Sequence, residues 1–564
     1  MSRRKVLPAL PALTLIVMLG PVIAGLWGAI GPAFGHLPAA GLTGPTLDPW
    51  RALFDWPGLP RAVALSLTVG FGATALSLLI VALLLAGWHG TRAFAVIERL
   101  LSPLLSVPHA AAAFGLAFLI IPSGWIARLF SPWLTGWERP PDLLIVQDPM
   151  GLALTAGMVA KEVPFLLLMA LSALGQVRAR QSLFVVQALG YGRVSGWVKS
   201  VFPMVYAQIR LPVYVVLAYS MSVVDVAIIL GPNTPPALSV QIVKWMGDPD
   251  LEMRLQAAAA SLLQLALVLG GLAFWRLGEL LAARLGRRWI AAGGRGSGEP
   301  LWRAVGLAGG AIGAASILLG LASLAVWSLA GFWTFPELLP DGLSLRTWMR
   351  HGPSGLDALG QTALIAGTAT GVALLLTLGC LEAEHRYGLR FTRRALWILY
   401  LPLLVPQTAF LPGLQTLLIG VGAAKGLGPV IAAHIVFVLP YVFLSLADPF
   451  RSWDQRYGLA AQAMGAGPDR MLWTVRLPML LRPILTATAV GLAVSVGQYL
   501  PTLLIGGGRV STLTTEAVAL ASGGDRRAIG VYGLMQTGAA LIPFALALII
   551  PAAIWRNREE LRLG

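Results

Sequence analysis

An all-α polytopic membrane protein is the fold class this sequence predicts, with about twelve transmembrane helices arranged as two parallel six-helix repeats. Three observations predict it. The 564 residues are 57% hydrophobic and only 12% charged, too little charge to cover a soluble protein of this length. Apolar runs of 18 residues or more recur along the chain, each long enough to cross a hydrocarbon core of about 30 Å. Motifs of the first half return, in the same order, in the second.

The first six candidate spans lie near residues 7–31, 63–87, 98–121, 150–174, 206–230 and 256–283. The second six lie near 304–331, 360–382, 396–420, 428–447, 484–506 and 530–555. The run from Leu7 follows Arg3-Arg4-Lys5 and is too long for the core of a cleaved signal peptide, so it reads as a retained span. With the N-terminus cytoplasmic, 28 of the 41 Lys+Arg fall on the cytoplasmic side, 12 on the other, and Lys161 lies inside a span. Acidic residues show little opposite bias, as the positive-inside rule expects. The net charge of +16 thus sets orientation rather than marking a nucleic-acid binder. This predicts a bacterial inner (plasma) membrane protein with both termini cytoplasmic. The single cysteine, Cys380, excludes a disulfide framework and a cysteine metal site.

The halves repeat in detail. Val107-Pro108-His109 is followed by Gly115, and Val405-Pro406-Gln407 by Gly413, each glycine seven residues after its proline. Pro164 in the fourth span matches Pro440 in the tenth. Six spans per half give both copies one orientation, a parallel repeat. The resulting division is 1–60, first span and periplasmic loop; 61–284, first lobe; and 285–303, cytoplasmic linker. Then follow 304–358, seventh span and periplasmic loop; 359–556, second lobe; and 557–564, cytoplasmic tail. Gly293 to Gly298 within the linker reads as a flexible connector. The longest extracytoplasmic loops, 32–62 and 122–149, are candidate contacts for a partner on that face.

One segment between the fourth and fifth spans of each half carries the functional signal. In the first it runs Phe184-Val185-Val186-Gln187-Ala188-Leu189-Gly190 and on to Pro203. In the second it runs Leu459-Ala460-Ala461-Gln462-Ala463-Met464-Gly465 and on to Pro478. Glycine and proline are 13 apart in both copies, at 181–203 and 456–478. Glycine suits the left-handed turn that ends a helix, and proline restricts the start of the next element. These residues resemble the EAA loop of ABC importer permeases. The resemblance implies a coupling helix in each lobe that docks on a separate ATPase, with ATP-driven closure rocking the lobes. The family's glutamate is replaced by Phe184 and Leu459, so docking is expected through apolar contact plus Arg180, Arg193, Arg456 and Arg470.

A second resemblance follows the fifth and eleventh spans. Ser495-Val496-Gly497-Gln498-Tyr499 and the stretch from Thr502 to Gly506, with Ser222 to Asp225 and Gly231 to Pro236, are similar to fused permeases of the iron(III) and thiamine type. The resemblance implies a binding-protein-dependent importer of a small solute, a thiamine-like cation before ferric iron. No Gly-Lys dipeptide occurs, so no P-loop is present. The chain is expected to be no enzyme and to hold no cofactor. ATP and Mg belong to a partner ATPase, expected as a homodimer, and a periplasmic binding protein delivers the solute.

Charges within spans are expensive and point to structure or path. Lys161 and Glu162 lie about 100° apart on their helix, so they need not pair with each other. They read either as an interhelical ion pair or as a path lining. Asp225 aligns with Gln498, and the two are expected to face each other across a pseudo-twofold axis, with Tyr499 beside them. A carboxylate there suits a cation. His109 and His434 read as packed or hydrogen-bonded. The alternatives are a twelve-span carrier driven by an ion gradient, which needs no duplicated docking loop, and a membrane enzyme, which needs clustered acids or histidines.

Overall fold

The computed structural model describes residues 7–554 except 39, 40, 297, 390, 391, 425 and 522. Arg3-Arg4-Lys5 and the tail at 557–564 lie outside the described residues. Among those described there are helices and no named strands. The first half contains α1 (Leu10–Ala33), α2 (Asp48–Asp55), α3 (Leu59–Trp88), α4 (Arg92–Leu104), α5 (His109–Ile120), α6 (Trp125–Phe130) and α7 (Leu152–Gln176). It continues through α8 (Ala179–Ala188), α9 (Arg193–Ser200), α10 (Phe202–Ser222), α11 (Asp225–Leu230), α12 (Leu238–Met246) and α13 (Glu252–Ala291). The second half holds α14 (Glu299–Leu329), α15 (Arg346–Tyr387), α16 (Arg393–Leu404), α17 (Gln407–Gly420), α18 (Leu427–Arg451) and α19 (Gln455–Ala463). It ends with α20 (Pro468–Met471), a π-turn at Leu472–Arg476, α21 (Leu477–Met479), α22 (Leu481–Val496), α23 (Leu500–Gly506), α24 (Leu513–Ala521) and α25 (Arg526–Ile554).

Ten described helices are long and apolar enough to cross a membrane, and twelve when two bent pairs each count as one span. The bends are 77° between α16 and α17 and 74° between the Pro468–Met479 segment and α22. Several expected spans are broken rather than continuous. The third breaks before Pro108, which has no N–H to return to the helix. The fifth breaks at Val223-Val224 and the eleventh at Gly497 to Tyr499, so Asp225 opens a short helix instead of ending a long one.

The first helix of each half packs on the other half. α1 lies against α15, α17 and α18, while α14 lies against α3, α5 and α7. The repeated glycines explain the crossings. A Cβ on Gly413 would overlap the backbone of Gly25 and Ala29 on α1. A Cβ on Gly115 would stand 2.8 Å from Gly320 Cα on α14. Small residues let two backbones approach where lipid gives helices no hydrophobic reason to meet. Cys380 on α15 reinforces the first crossing with a 3.1 Å contact to Thr14 Oγ1 on α1.

The connector between halves is shorter and more tightly held than its glycine content suggests. α13 continues to Ala291 and α14 begins at Glu299, leaving 292–298. The Gly294 carbonyl accepts from Lys199 at 2.6 Å, and the Arg295 carbonyl accepts from Gly192 N at 3.2 Å and Ser195 Oγ at 2.8 Å. The described part of the connector is therefore tied to α9.

Candidate functional site

The two predicted turns are the same turn. Gly190 has φ +83° and Gly465 φ +81°, the left-handed region where a Cβ is costly. Gly190 N donates to Gln187 O and Tyr191 N to Val186 O; Gly465 N donates to Gln462 O and Ala466 N to Ala461 O. Each is a Schellman motif that uses the last carbonyls of α8 or α19. Ahead of each turn an apolar side chain stands in the open. Phe184 is 74% exposed and Leu459 64%, with Leu189 and Met464 exposed beside them. Gln187, Ala188, Ala460 and Gln462 are exposed as well, whereas Ala461 is buried. Pro203 and Pro478 each stand at the second position of a following helix, α10 and α21.

What anchors the turns differs between halves. In the first, the N-terminus of α9 rests on Glu299: Val194 N, Ser195 N and Ser195 Oγ donate to its carboxylate at 2.8, 3.0 and 2.9 Å. Lys199 lies 4.2 Å over the Trp289 ring. Arg193, expected on the docking face, has another task. Its guanidinium donates to Ala86 O at 3.2 Å and His89 O at 2.5 Å, supplying donors the end of α3 lacks. Arg180 and Arg470 remain exposed, and Arg456 is exposed with Asp454 at 3.4 Å.

In the second half, an ion pair buried in protein does the holding. Arg476 is 1% exposed and Glu382 2%, with 2.7 Å between them. Arg386 reaches the same carboxylate at 2.5 Å and Asp469 at 2.6 Å. Arg476 also lies 4.4 Å over Trp453 and 2.6 Å from His385 Nε2, which must accept. Sequence reasoning missed this cluster. Its only local signal was an arginine two residues before the repeated proline of the motif, Pro478.

Between the halves, the predicted path residues separate into two groups. Lys161 is neither ion-paired by a hydrogen bond nor turned to open space. Its ammonium donates to the carbonyls of Leu104, Leu105 and Val107 at 3.1, 3.2 and 2.6 Å, three donors on three acceptors at the α4–α5 break. Glu162 instead stands 3.6 Å from His109 Nε2, and that imidazole meets the Tyr219 ring edge-on at 5.0 Å. Asp225 and Gln498 share no hydrogen bond among the described residues. Gln498 accepts from Gln407 at 3.2 Å within its own half. Asp225 lies within electrostatic range of His109, Tyr219 and, across the halves, Tyr499. Tyr441 of α18 lies within the same range of Glu162. Two buried carboxylates thus lie within electrostatic range of three phenols drawn from both halves; Tyr219 and Tyr441 carried no motif that the sequence could flag. His434 is fully occupied by Ser495 at 2.8 Å and Thr502 at 2.9 Å, as a packed histidine should be.

The family model for the binding-protein-dependent transport system inner membrane component matches residues 375–557. The chain is 33% identical over 552 residues to the inner membrane ABC transporter permease protein YnjC of Escherichia coli (strain K12), covering 97% of this chain and 98% of that one. It is 28% identical over 257 residues to the PhnV permease of Salmonella typhimurium, named for 2-aminoethylphosphonate transport, covering 44% of this chain and 90% of the relative. Against the spermidine/putrescine transport system permease protein PotC of Haemophilus influenzae it is 22% identical over 224 residues, 40% of this chain and 81% of the relative. No solved structure matches. Full-length similarity to one such permease, with half-length similarity to others, fits a chain that repeats a six-span unit, and the protein belongs to the binding-protein-dependent inner-membrane permeases of ABC transporters as a fused permease.

Proposed function

We propose that this chain imports a small organic cation, with both lobes driven by one homodimeric ATPase gripping α8 and α19 from the cytoplasm. The observation that carries the reading is the duplicated Schellman turn, each copy presenting an exposed apolar side chain, Phe184 or Leu459. A two-fold ATPase offers two equivalent grooves, and two like turns on one chain suit it. Both termini then lie in the cytoplasm, and residues 61–284 and 359–556 form the rocking lobes, with the loops at 32–62 and 122–149 toward the periplasmic binding protein.

A thiamine-like cation is favoured over ferric iron by the lobe junction. Glu162 and Asp225 supply negative charge, with the aromatic side chains Tyr219, Tyr441 and Tyr499 in electrostatic range, a composition that suits an organic cation. Reconstitution tests both levels. Vesicles holding this chain with its ATPase and binding protein should take up solute only with ATP. Gly190→Val with Gly465→Val should keep the chain in the membrane and separate hydrolysis from uptake. Uptake in a strain lacking every partner ATPase would refute the importer, and equal uptake by Asp225→Asn would refute the role of that carboxylate.

A further inference from the structure

A cavity of about 570 Å³ opens beside α9, lined by Trp88, Arg193, Glu299, Pro300, Arg303 and Leu307. It lies where α3 ends and α14 begins, which is the cytoplasmic end of two spans in the orientation proposed above. One part of the wall is apolar, from Pro300 and Leu307, and the neighbouring Leu301, Trp302 and Val305 of α14 are exposed, as side chains facing lipid would be. The other part is cationic. Arg303 lies 4.8 Å over the Trp88 ring, and its Nε is buried with no hydrogen-bond partner among the described residues. Trp88 fixes this arrangement by donating from Nε1 to the Arg303 carbonyl at 2.8 Å. Glu299, whose carboxylate also accepts three hydrogen bonds from α9, sets one negative charge against the two guanidiniums, so one positive charge is left over. Burial, and then the charge of Arg303, draw the pKa of Arg193 down, the signature of two guanidiniums with too little negative charge between them.

We infer that this cavity binds the phosphate of an anionic phospholipid, with the headgroup against Arg303 and Arg193 and the acyl chains along the exposed face of α14. Arginine is the usual partner of a phosphate, and a basic pocket between spans suits a lipid headgroup. The site bears on coupling because two of its charged residues hold α9: Arg193 ties it to α3, and Glu299 ties it to the start of α14. A bound lipid would therefore stiffen the coupling segment of the first half, with no equivalent demand on the second.

Native mass spectrometry of the full chain released from nanodiscs tests the inference, using phosphatidylglycerol and phosphatidylcholine in equal amounts. The expected result is retention of phosphatidylglycerol over phosphatidylcholine. Arg303→Gln should lower that retention about tenfold, the scale of one hydrogen bond to a charged group, and Arg303→Lys should restore part of it. Equal retention of both lipids, or undiminished phosphatidylglycerol on Arg303→Gln, would overturn the site. Millimolar inorganic phosphate, added to the wild-type protein, separates lipid from free anion. Failure to compete is expected, whereas full displacement of the lipid would reassign the cavity to a soluble phosphate. A photoactivatable phosphatidylglycerol on the wild-type chain covers the case in which the variants fold poorly: crosslinks should map to α14 near residues 300–307, and crosslinks elsewhere only would refute the assignment.

Discussion

In the first half, the segment that follows the glycine turn hangs on backbone carbonyls and on one carboxylate at the start of α14; in the second, it hangs on an ion pair sealed inside the lobe. The turns themselves match bond for bond. The contrast extends to the broken third and ninth spans. Lys161 supplies three hydrogen bonds to the α4–α5 break. The matching residue of the second half, counted from Pro164 and Pro440, is Phe437, whose ring lies 5.9 Å from that of Phe410. Duplication thus preserved what an outside partner would touch and let the internal supports diverge. The polar support of the break sits in the half that carries Glu162 and Asp225, and the apolar one in the half that carries Gln498.

The largest effect should come from the buried pair. Glu382→Ala leaves the Arg476 guanidinium enclosed without its carboxylate, which costs about 3–5 kcal/mol. A thermal melt in detergent should show the protein strongly destabilised, whereas an unchanged melt would mean the pair is hydrated. Next is Lys161→Met, which keeps the length of the side chain and takes three hydrogen bonds from the carbonyls of the break; roughly 2 kcal/mol is expected. Phe437→Met, at the matching position, strands no polar group, so a polar-support account requires that the Lys161 variant lose ATP-driven uptake far more than its counterpart. Smallest is Glu299→Gln, which weakens the seat of α9 by about 1 kcal/mol without unfolding a lobe. Hydrogen exchange should quicken in α9 and leave α19 unchanged, and equal change in both would erase the distinction between the halves.

Much of this was legible in the chain itself. Span number follows from the length of apolar runs, and the turns from a glycine and a proline 13 apart, because both are local signals. The breaks at Val223-Val224 and at Gly497 to Tyr499 were hidden, since apolar residues continue on either side and hydropathy does not register a bend. The exchange of α1 and α14 was hidden for a related reason. A face turned to lipid and a face turned to a neighbouring helix are equally apolar, and only glycines, Gly25 and Gly28 opposite Gly413 and Gly320 opposite Gly115, marked the crossings. The pairing of Arg476 with Glu382 joins residues 94 apart, beyond any local pattern. At the candidate site, the paired glycine turns were readable, but the task of Arg193 was not, because it depends on which helix end lies beside it.

The central claim is that α8 and α19 both grip the ATPase through exposed apolar side chains. Affinity purification of the full chain with its ATPase, comparing Phe184→Asp, Leu459→Asp and the double variant, tests it most directly. Neither side chain is buried within the chain, so the variants should fold and melt like the parent. The account predicts that each single variant weakens recovery of the ATPase and that the double variant loses it about a hundredfold, two apolar anchors at roughly 1.5 kcal/mol each. Full recovery of the ATPase by the double variant would contradict it.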